Sequence, residues 1–445
     1  MVLAVSPVSP VAPLGAHELL IFLLQVGTLL LMALLLGRLA IRCGMPSIVG
    51  ELCAGVVLGP TVLGHAAPHL ANWLLPGDPG QLHLLDSFAQ VGVLLLVGLT
   101  GAHMDLTLVR RRGLDAIRIS IAGIVVPLGL GVAAGFLFPS ALVPQTADRS
   151  TFALFLGVAM GVSAIPVIAK TLAELRLLHR NIGQLTLCAV VVDDIVGWLL
   201  LSVVAAMATT GLRGGAVVLS LIWVAVVFAL AFLARPLVRG ALRVAGRACD
   251  TGVTLALVVV LVLLSAATTH AMGLEAVFGA FVCGIMLGGS GGLSSVETGP
   301  LRTMVMSVLA PLFFATAGLR IDLTALSRPP VLLAGLVVLG LAVAGKFAGA
   351  YIGARISRLG HWEALALGAG MNARGVIEVI VAMVGLRLGV LNTEMYSIVV
   401  LVAIITSVMA PPLLRLTMAR VEHTAEERLR EEMYEGESAR GTGVS

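Results

Sequence analysis

Charge is what this 445-residue chain lacks most: Asp, Glu, Lys and Arg together make up 12% of it, against roughly 25% in soluble domains. Lysine is almost missing, since Lys170 and Lys346 are the only lysines among 28 basic residues. Five cysteines (Cys43, Cys53, Cys188, Cys249 and Cys283) fall in or near apolar segments without paired spacing, which argues against a disulfide framework and against cysteine metal ligation. The stretch Gly64 to Asp86 carries His65, His69, His83, Asp78 and Asp86 but no regular ligand spacing, so it reads as a solvated loop rather than a zinc site. No nucleophile, resident-metal or nucleotide motif is present, so no enzyme and no cofactor are expected. The net charge of +4 reflects arginines in short loops, which gives no basic domain for nucleic acid. The segment Met1 to Gly15 has no basic flank of the kind a cleavable signal peptide carries, so the first helix is expected to be retained.

Apolar residues are abundant: they make up 59% of the chain, and its mean hydropathy is +1.06. The chain reads as an all-α polytopic membrane protein whose surroundings are the lipid bilayer. A helix needs about 20 apolar residues to cross, and on that measure spans are predicted at 18–38, 47–63, 85–103, 114–138, 150–174, 181–207, 214–234, 252–270, 273–289, 302–321, 331–355, 361–386 and 393–417. That is about thirteen. Arginine sets the orientation under the positive-inside bias. Arg38 and Arg42, Arg110 to Arg112 with Arg118, Arg176 and Arg180, the set from Arg235 to Arg247, and Arg355 with Arg358 all fall on one side. The C-terminus falls there too, so the N-terminal segment 1–17 is placed outside and the charged tail 419–445, expected to be frayed or disordered, in the cytoplasm.

The chain also echoes itself. Gly55-Val-Val-Leu-Gly59 returns as Gly284-Ile-Met-Leu-Gly288, and the Gly98 to Asp105 segment returns as Gly318-Leu-Arg-Ile-Asp322. These echoes align spans 1–6 with spans 8–13 and leave 214–234 as a linker. An offset of seven spans inverts the second copy, the arrangement typical of secondary transporters with a site near the bilayer midplane. The equivalent fifth and twelfth spans both carry breakers: Ser163, Pro166 and Lys170 in one, Asn372, Arg374, Gly375 and Glu378 in the other. Two broken helices are therefore expected to cross.

Asp193 and Asp194 lie side by side in an apolar segment long enough to span. Ionisable groups at that depth cost about 3 kcal/mol each on insertion scales, and they usually line an ion or proton path. Neighbours on a helix point about 100° apart, so the two carboxylates should do different work. One can bind a bare monovalent cation or a proton; the other can pair with Lys346, either as a switch that varies with ion load or as a fixed salt bridge. If Lys346 sheds its proton when the ion binds, two protons exchange for one cation and voltage drives the cycle. If it stays charged, exchange is one for one. The extra titratable group favours the first. Arg374 and Glu378, four residues apart, are expected to neutralise each other or the half-helix ends, and Lys170 to compensate a carbonyl end. Glu51 and Glu275 begin apolar runs and read as interfacial caps.

Pro46-Ser-Ile-Val-Gly-Glu51 through Gly64, Ser163-Ala-Ile-Pro166, the Asp193-Asp194 pair, Pro311 to Leu319 and Asn372-Ala-Arg374-Gly375-Val-Ile-Glu378 occur in that order. Together they resemble the second family of monovalent cation:proton antiporters, which includes bacterial Na+/H+ exchangers, plant cation/H+ exchangers and Kef potassium efflux systems. The resemblance covers about 18–418. It implies exchange of Na+ or K+ for H+ across the cytoplasmic (inner) membrane, and a homodimer working by an elevator movement. Dimerisation helices would lie at about 18–103 and 252–321, and core helices at about 114–207 and 331–417. It further implies that Asp194 binds cation and proton, that Asp193 pairs with Lys346, and that Ser163 lies near the ion. The chain departs from many relatives at Ala373, which lacks their hydroxyl. Two alternatives remain: a gated Kef-like potassium efflux system, and a transporter of an organic or ionophore-bound substrate on the same fold.

Overall fold

The computed structural model describes residues 15–75, 79–102, 106–210, 214–247, 251–288, 299–424 and 427, so Asp78, Asp105 and Cys249 lie outside the described residues. All regular structure within them is helical. In chain order the helices are α1 (Ala16–Arg42), α2 (Ser47–Leu58), the short α3 (Leu63–Ala66) and α4 (Pro68–Leu74), α5 (Pro79–Ala102) and α6 (Leu106–Leu137). Then come α7 (Arg149–Gly161), α8 (Ile165–Glu174), α9 (Asn181–Thr210), α10 (Gly214–Arg247), α11 (Thr251–Ala271) and α12 (Ala276–Gly288). The last are α13 (Gly299–Met304), continued through a π-helical turn into α14 (Ala310–Gly318), followed by α15 (Pro329–Ile356), α16 (His361–Met371), α17 (Val376–Arg387) and α18 (Thr393–Met418).

Among the described residues ten helices are long and apolar enough to cross a membrane, and the bent pair α16 and α17, meeting at 48°, makes an eleventh. The apolar helices α7 and α12 are shorter, with 13 residues each. On the outer helices the apolar side chains face away from the protein. In α1 the buried positions Ile21, Gln25, Leu29, Ala33, Gly37 and Ala40 recur every three or four residues, while Leu23 and Leu31 between them are more than half exposed. One stripe packs inward and the remainder suits hydrocarbon.

The expected fifth span is two helices, α7 and α8, separated by Val162 to Ala164. Pro166 does not make the break, contrary to what a proline there suggests. It sits in the first turn of α8, where a missing backbone donor costs nothing because the helix would leave that donor unpaired. Helix α10 runs to Arg247, well past the predicted end at 234.

The echoed glycines pack across one another. A methyl group on Gly55 would come within 2.0 Å of the Ala315 carbonyl oxygen, and one on Gly318 within 2.2 Å of Leu52 O. Reciprocally, a methyl on Gly284 would lie 2.0 Å from Gly98 O and one on Gly288 2.1 Å from Ala102 O. Thus α2 lies backbone to backbone on α14, and α12 on α5. No side chain fits between them, which is why glycine recurs there.

The start of the tail is not frayed. Arg180, at the entry to α9, donates to the carbonyls of Val421 and Glu422 at 3.0 and 3.1 Å and to His423 Nε2 at 2.8 Å. An arginine only donates, so His423 must accept through Nε2 and carry its proton on Nδ1. Glu427 returns to the same place, accepting from the backbone N–H of Asn181 at 2.6 Å and of Thr424 at 2.9 Å, with Arg180 Nε 3.3 Å away. Burial pushes this carboxyl up, but those two amides and the guanidinium together hold it below the usual carboxylate range. This strap fixes the first residue of the helix that carries both aspartates.

Gly284→Ala is expected to lower the melting temperature of the purified protein by the equivalent of about 1–3 kcal/mol, the usual penalty for overpacking. Gly27→Ala, on a helix face with nothing within 4 Å, should be neutral or slightly stabilising. Equal melting temperatures for the two variants would show that the seam yields freely.

Candidate functional site

A break in an apolar helix strands backbone donors and acceptors where water cannot reach them. Here α7/α8 and α16/α17 cross at their breaks, joined by the Ala164 N–H donating to Ala373 O at 3.4 Å. Ionic and polar side chains meet the helix ends. The carbonyl end of α7 receives two cations: Arg374 donates to Ala159 O at 2.9 Å and Met160 O at 2.5 Å, and Lys346 donates to Gly161 O at 2.7 Å. The amide end of α17 is met by Glu378, which accepts from the Gly375 N–H at 2.8 Å. Ser407 of α18 donates to Arg374 O, and Ser163 to Met371 O at 2.8 Å. Each charge sits against the helix end of opposite sign.

Arg374 and Glu378 therefore serve different ends and form no direct ion pair within 4 Å. Gly375 is needed for the close approach of the two breaks, because a Cβ there would come 2.6 Å from the Val167 side chain.

The two aspartates differ as neighbours on a helix should. Both oxygens of Asp193 are hydrogen-bonded. Its Oδ1 accepts from Ser120 at 2.5 Å, and its Oδ2 accepts from Lys346 Nζ at 2.7 Å and lies 3.0 Å from Ser163 Oγ, whose single proton is shared with Met371 O. Lys346 is saturated: its three donors reach Gly123 O at 3.0 Å, Gly161 O and Asp193. Both side chains are fully buried. Asp194 is equally buried, yet among the described residues no side chain is hydrogen-bonded to either of its oxygens; its one donor is the Ile165 backbone amide. The groups acting on it are the Ile165 backbone amide, at the positive end of α8, and the charges of Asp193, Glu378 and Lys346. An ionised carboxylate at this depth with no counter-charge bonded to it is costly, so Asp194 is where a cation or a proton has most to gain.

Nearby, both amide atoms of Asn372 and Glu378 Oε1 are buried without partners. Pro166 lies in α8, and its side chain is outside the described ones. Lys170, midway along α8, is half-buried and acts electrostatically on Glu51 of α2. Glu51 is buried within α2 rather than capping it, and Glu275 forms an ion pair with Arg387 at 2.5 Å. Among the described residues no three His, Cys, Asp or Glu side chains form a metal cluster, and His65 Nδ1 instead contacts Pro60 O. Ser120, Ser407 and the Gly123 carbonyl were not expected from the sequence. A lone serine inside the apolar run Ile119-Ser120-Ile121 was the available signal.

A cavity of about 600 Å3 near the start of α5 is lined by Asp86, Gln90, Phe313, Thr316, Ile380 and Met383 among others. At its rim Arg320 pairs with Asp86 and Arg387 with Glu275, each at 2.5 Å. Asp194 does not line it.

The sodium/hydrogen exchanger transmembrane family model matches residues 27–420. The chain is 33% identical to the Na(+)/H(+) antiporter NhaS4 of Synechocystis sp. over 405 residues, which cover 90% of this chain and 98% of that one. It is 35% identical to Cation/H(+) antiporter 15 of Arabidopsis thaliana over 370 residues, covering 82% of this chain and 44% of the relative, so the chain spans about half the length of the plant relatives it matches. The solved structure of the sodium proton antiporter MjNhaP1 from Methanocaldococcus jannaschii superposes with a TM-score of 0.65 at 16% identity, covering 90% of this chain and 99% of that one, which shows a shared fold.

Removing the Lys346 charge alone leaves buried Asp193 without its counter-charge and two carbonyls without their donor. Lys346→Gln should therefore destabilise the protein by about 3–5 kcal/mol. Asp193→Asn combined with Lys346→Gln should recover a measurable part of that in thermal unfolding. Strict additivity of the two single substitutions would mean that the pair does not act as a unit.

Proposed function

We propose, because this chain belongs to the sodium/hydrogen exchanger family, that it exchanges a monovalent cation, Na+ or K+, for H+ across the cytoplasmic membrane, with Asp194 as the carboxylate that both occupy in turn. The observation that carries this reading is the contrast between the two neighbours: both oxygens of Asp193 accept from side chains, one of them a lysine, whereas among the described residues no side chain is hydrogen-bonded to Asp194. A buried carboxylate with no bonded counter-charge can be neutralised by a proton from one side and by a dehydrated cation from the other, but not by both together. The cation is cargo. Asn372, whose buried amide has no partner among the described residues, is a candidate for a further oxygen ligand.

Thirteen spans in two inverted repeats follow if α7 with α8 and the short α12 each count as a crossing. The reciprocal glycine contacts, α2 on α14 and α12 on α5, support that pairing of repeats. The cavity lies between residues 86–93 and 313–320 on one side and 380–387 on the other, which is the boundary between the helices assigned to the scaffold and those assigned to the core. An elevator movement of the core along that boundary, within a homodimer with its N-terminus outside, would have to part Arg387 from Glu275.

The buried cluster also bears on the coupling ratio. With all five groups ionised, Lys346 and Arg374 stand against Asp193, Asp194 and Glu378, so two positive charges face three negative and one negative charge is unbalanced. One cation or one proton at Asp194 brings the sum to zero. The three acceptors around the three donors of Lys346 offset part of the cost of burying its charge. This tally favours one-for-one, voltage-indifferent exchange, in contrast to the electrogenic cycle that the sequence alone favours.

Asp194→Asn should abolish cation-driven proton movement in reconstituted vesicles while leaving a folded protein, because an amide can neither release a proton nor offset a cation's charge. Wild-type rates in a well-folded Asp194→Asn protein would sink the assignment. In the wild type, protons and cations compete for one carboxylate, so apparent cation affinity should improve as pH rises; pH-independent affinity would point to separate sites and favour a channel-like efflux system. Clamping the potential with potassium and valinomycin during sodium-driven exchange should leave the rate unchanged. A rate that follows the imposed potential would show that a second proton moves.

A further inference from the structure

Where α8 ends and the tail leaves α18, a cavity of about 430 Å3 is lined by Leu175, Arg176, Leu177, Arg180, Arg415 and Met418. None of these residues belongs to the ion site. Three of them are arginines. Arg180 is buried and matched by Glu427. Arg176 and Arg415 are exposed, and among the described residues neither takes part in an ion pair or a side-chain hydrogen bond.

The backbone of Arg176 is the second observation. Its φ is +54°, in the left-handed region that favours glycine, at the position just past a helix where glycine is the usual residue. The turn around it is fixed: the Leu177 N–H returns to Leu172 O at 2.8 Å, and the Arg180 N–H to Leu177 O at 3.1 Å. Glycine would meet the fold's need at lower strain. An arginine held in an unfavourable conformation at the wall of a cavity points to a task for its side chain. Cations near helix C-termini and on an arginine-rich side are explained by the helix dipole and by topology. Neither effect accounts for two unpaired guanidiniums sharing one cavity, or for the strained backbone of one of them.

The rest of the wall is apolar. Leu175, Leu177 and Met418 line it, and Leu416, next to Arg415, is 67% exposed. Since α18 is a membrane-capable helix and Arg415 lies in its last turn, the cavity sits at the height where a bilayer's headgroups meet its hydrocarbon. Guanidinium forks recognise phosphate oxygens in pairs, and the leucines offer a path for an acyl chain.

We propose that this cavity binds a phosphoryl anion between Arg176 and Arg415, supplied by the headgroup of an anionic phospholipid. The chemistry shared with a soluble phosphate is the phosphate itself; the apolar wall favours the lipid.

Thermal unfolding of the purified full-length protein in neutral detergent, with short-chain phosphatidylglycerol, phosphatidylcholine or sodium phosphate added at matched concentration, tests this. Phosphatidylglycerol should raise the melting temperature and bind at least tenfold more tightly than phosphatidylcholine. Arg415→Gln should weaken its binding about tenfold. Arg176→Gly serves even if Arg415→Gln folds poorly: it should raise the melting temperature without lipid, by relieving the left-handed backbone, and yet lose the response to phosphatidylglycerol. A purely structural arginine would not give that split. Sodium phosphate acting as strongly as phosphatidylglycerol, and losing its effect in both variants, would keep the phosphate site and assign it to a soluble ligand. Equal protection by phosphatidylcholine, or a phosphatidylglycerol response unchanged in Arg176→Gly, would overturn the proposal.

Discussion

Four helix ends brought together at apolar depth need compensation, and the rest of the site follows from how they obtain it. Two cations are drawn to the carbonyl end of α7. One of them, Lys346, then requires a counter-charge, and Asp193 supplies it. Glu378 is drawn to the amide end of α17, and two serines meet the remaining carbonyls. Once these demands are met, Asp194 has, among the described residues, no polar side chain and no counter-charge hydrogen-bonded to it, only the Ile165 amide at the start of α8. The reactive group is defined by what the scaffolding charges leave over.

Much of this was legible because charge in an apolar run must be explained. The pairing of Asp193 with Lys346 could be anticipated from two ionisable residues separated by 153 positions, each too costly to bury alone. The crossing of the fifth and twelfth spans was legible from glycine, proline and polar residues in matching places. Ser120 was not, since a hydroxyl inside a helix can satisfy itself on its own backbone and carries no penalty that demands a distant partner. The first break lies at the non-helical Val162 to Ala164, which have no conspicuous residue to mark them, rather than at Pro166. Arg180 was read with its neighbours as a marker of sidedness; its bonds to a tail 241 to 243 positions away have no local signature. The phosphate reading of Arg176 likewise needed a backbone angle.

The rigid and the open parts of the molecule have opposite origins. Along α2 with α14, and α5 with α12, glycine lets main chain rest on main chain, whereas the boundary near α17 is held apart by large side chains, with ion pairs at the rim of the space between them. The strap from Val421 to Glu427 adds a third kind of constraint, tying the tail to the first turn of the helix that bears the aspartates.

The glycine seams also decide how the molecule would yield under hydrostatic compression. Pressure favours states that eliminate internal voids, and backbones already at van der Waals contact leave none to eliminate. The 600 Å3 space beside α17 does. Squeezing should therefore act as a selective probe: the seams stay incompressible, while the two groups of helices facing that space are driven together.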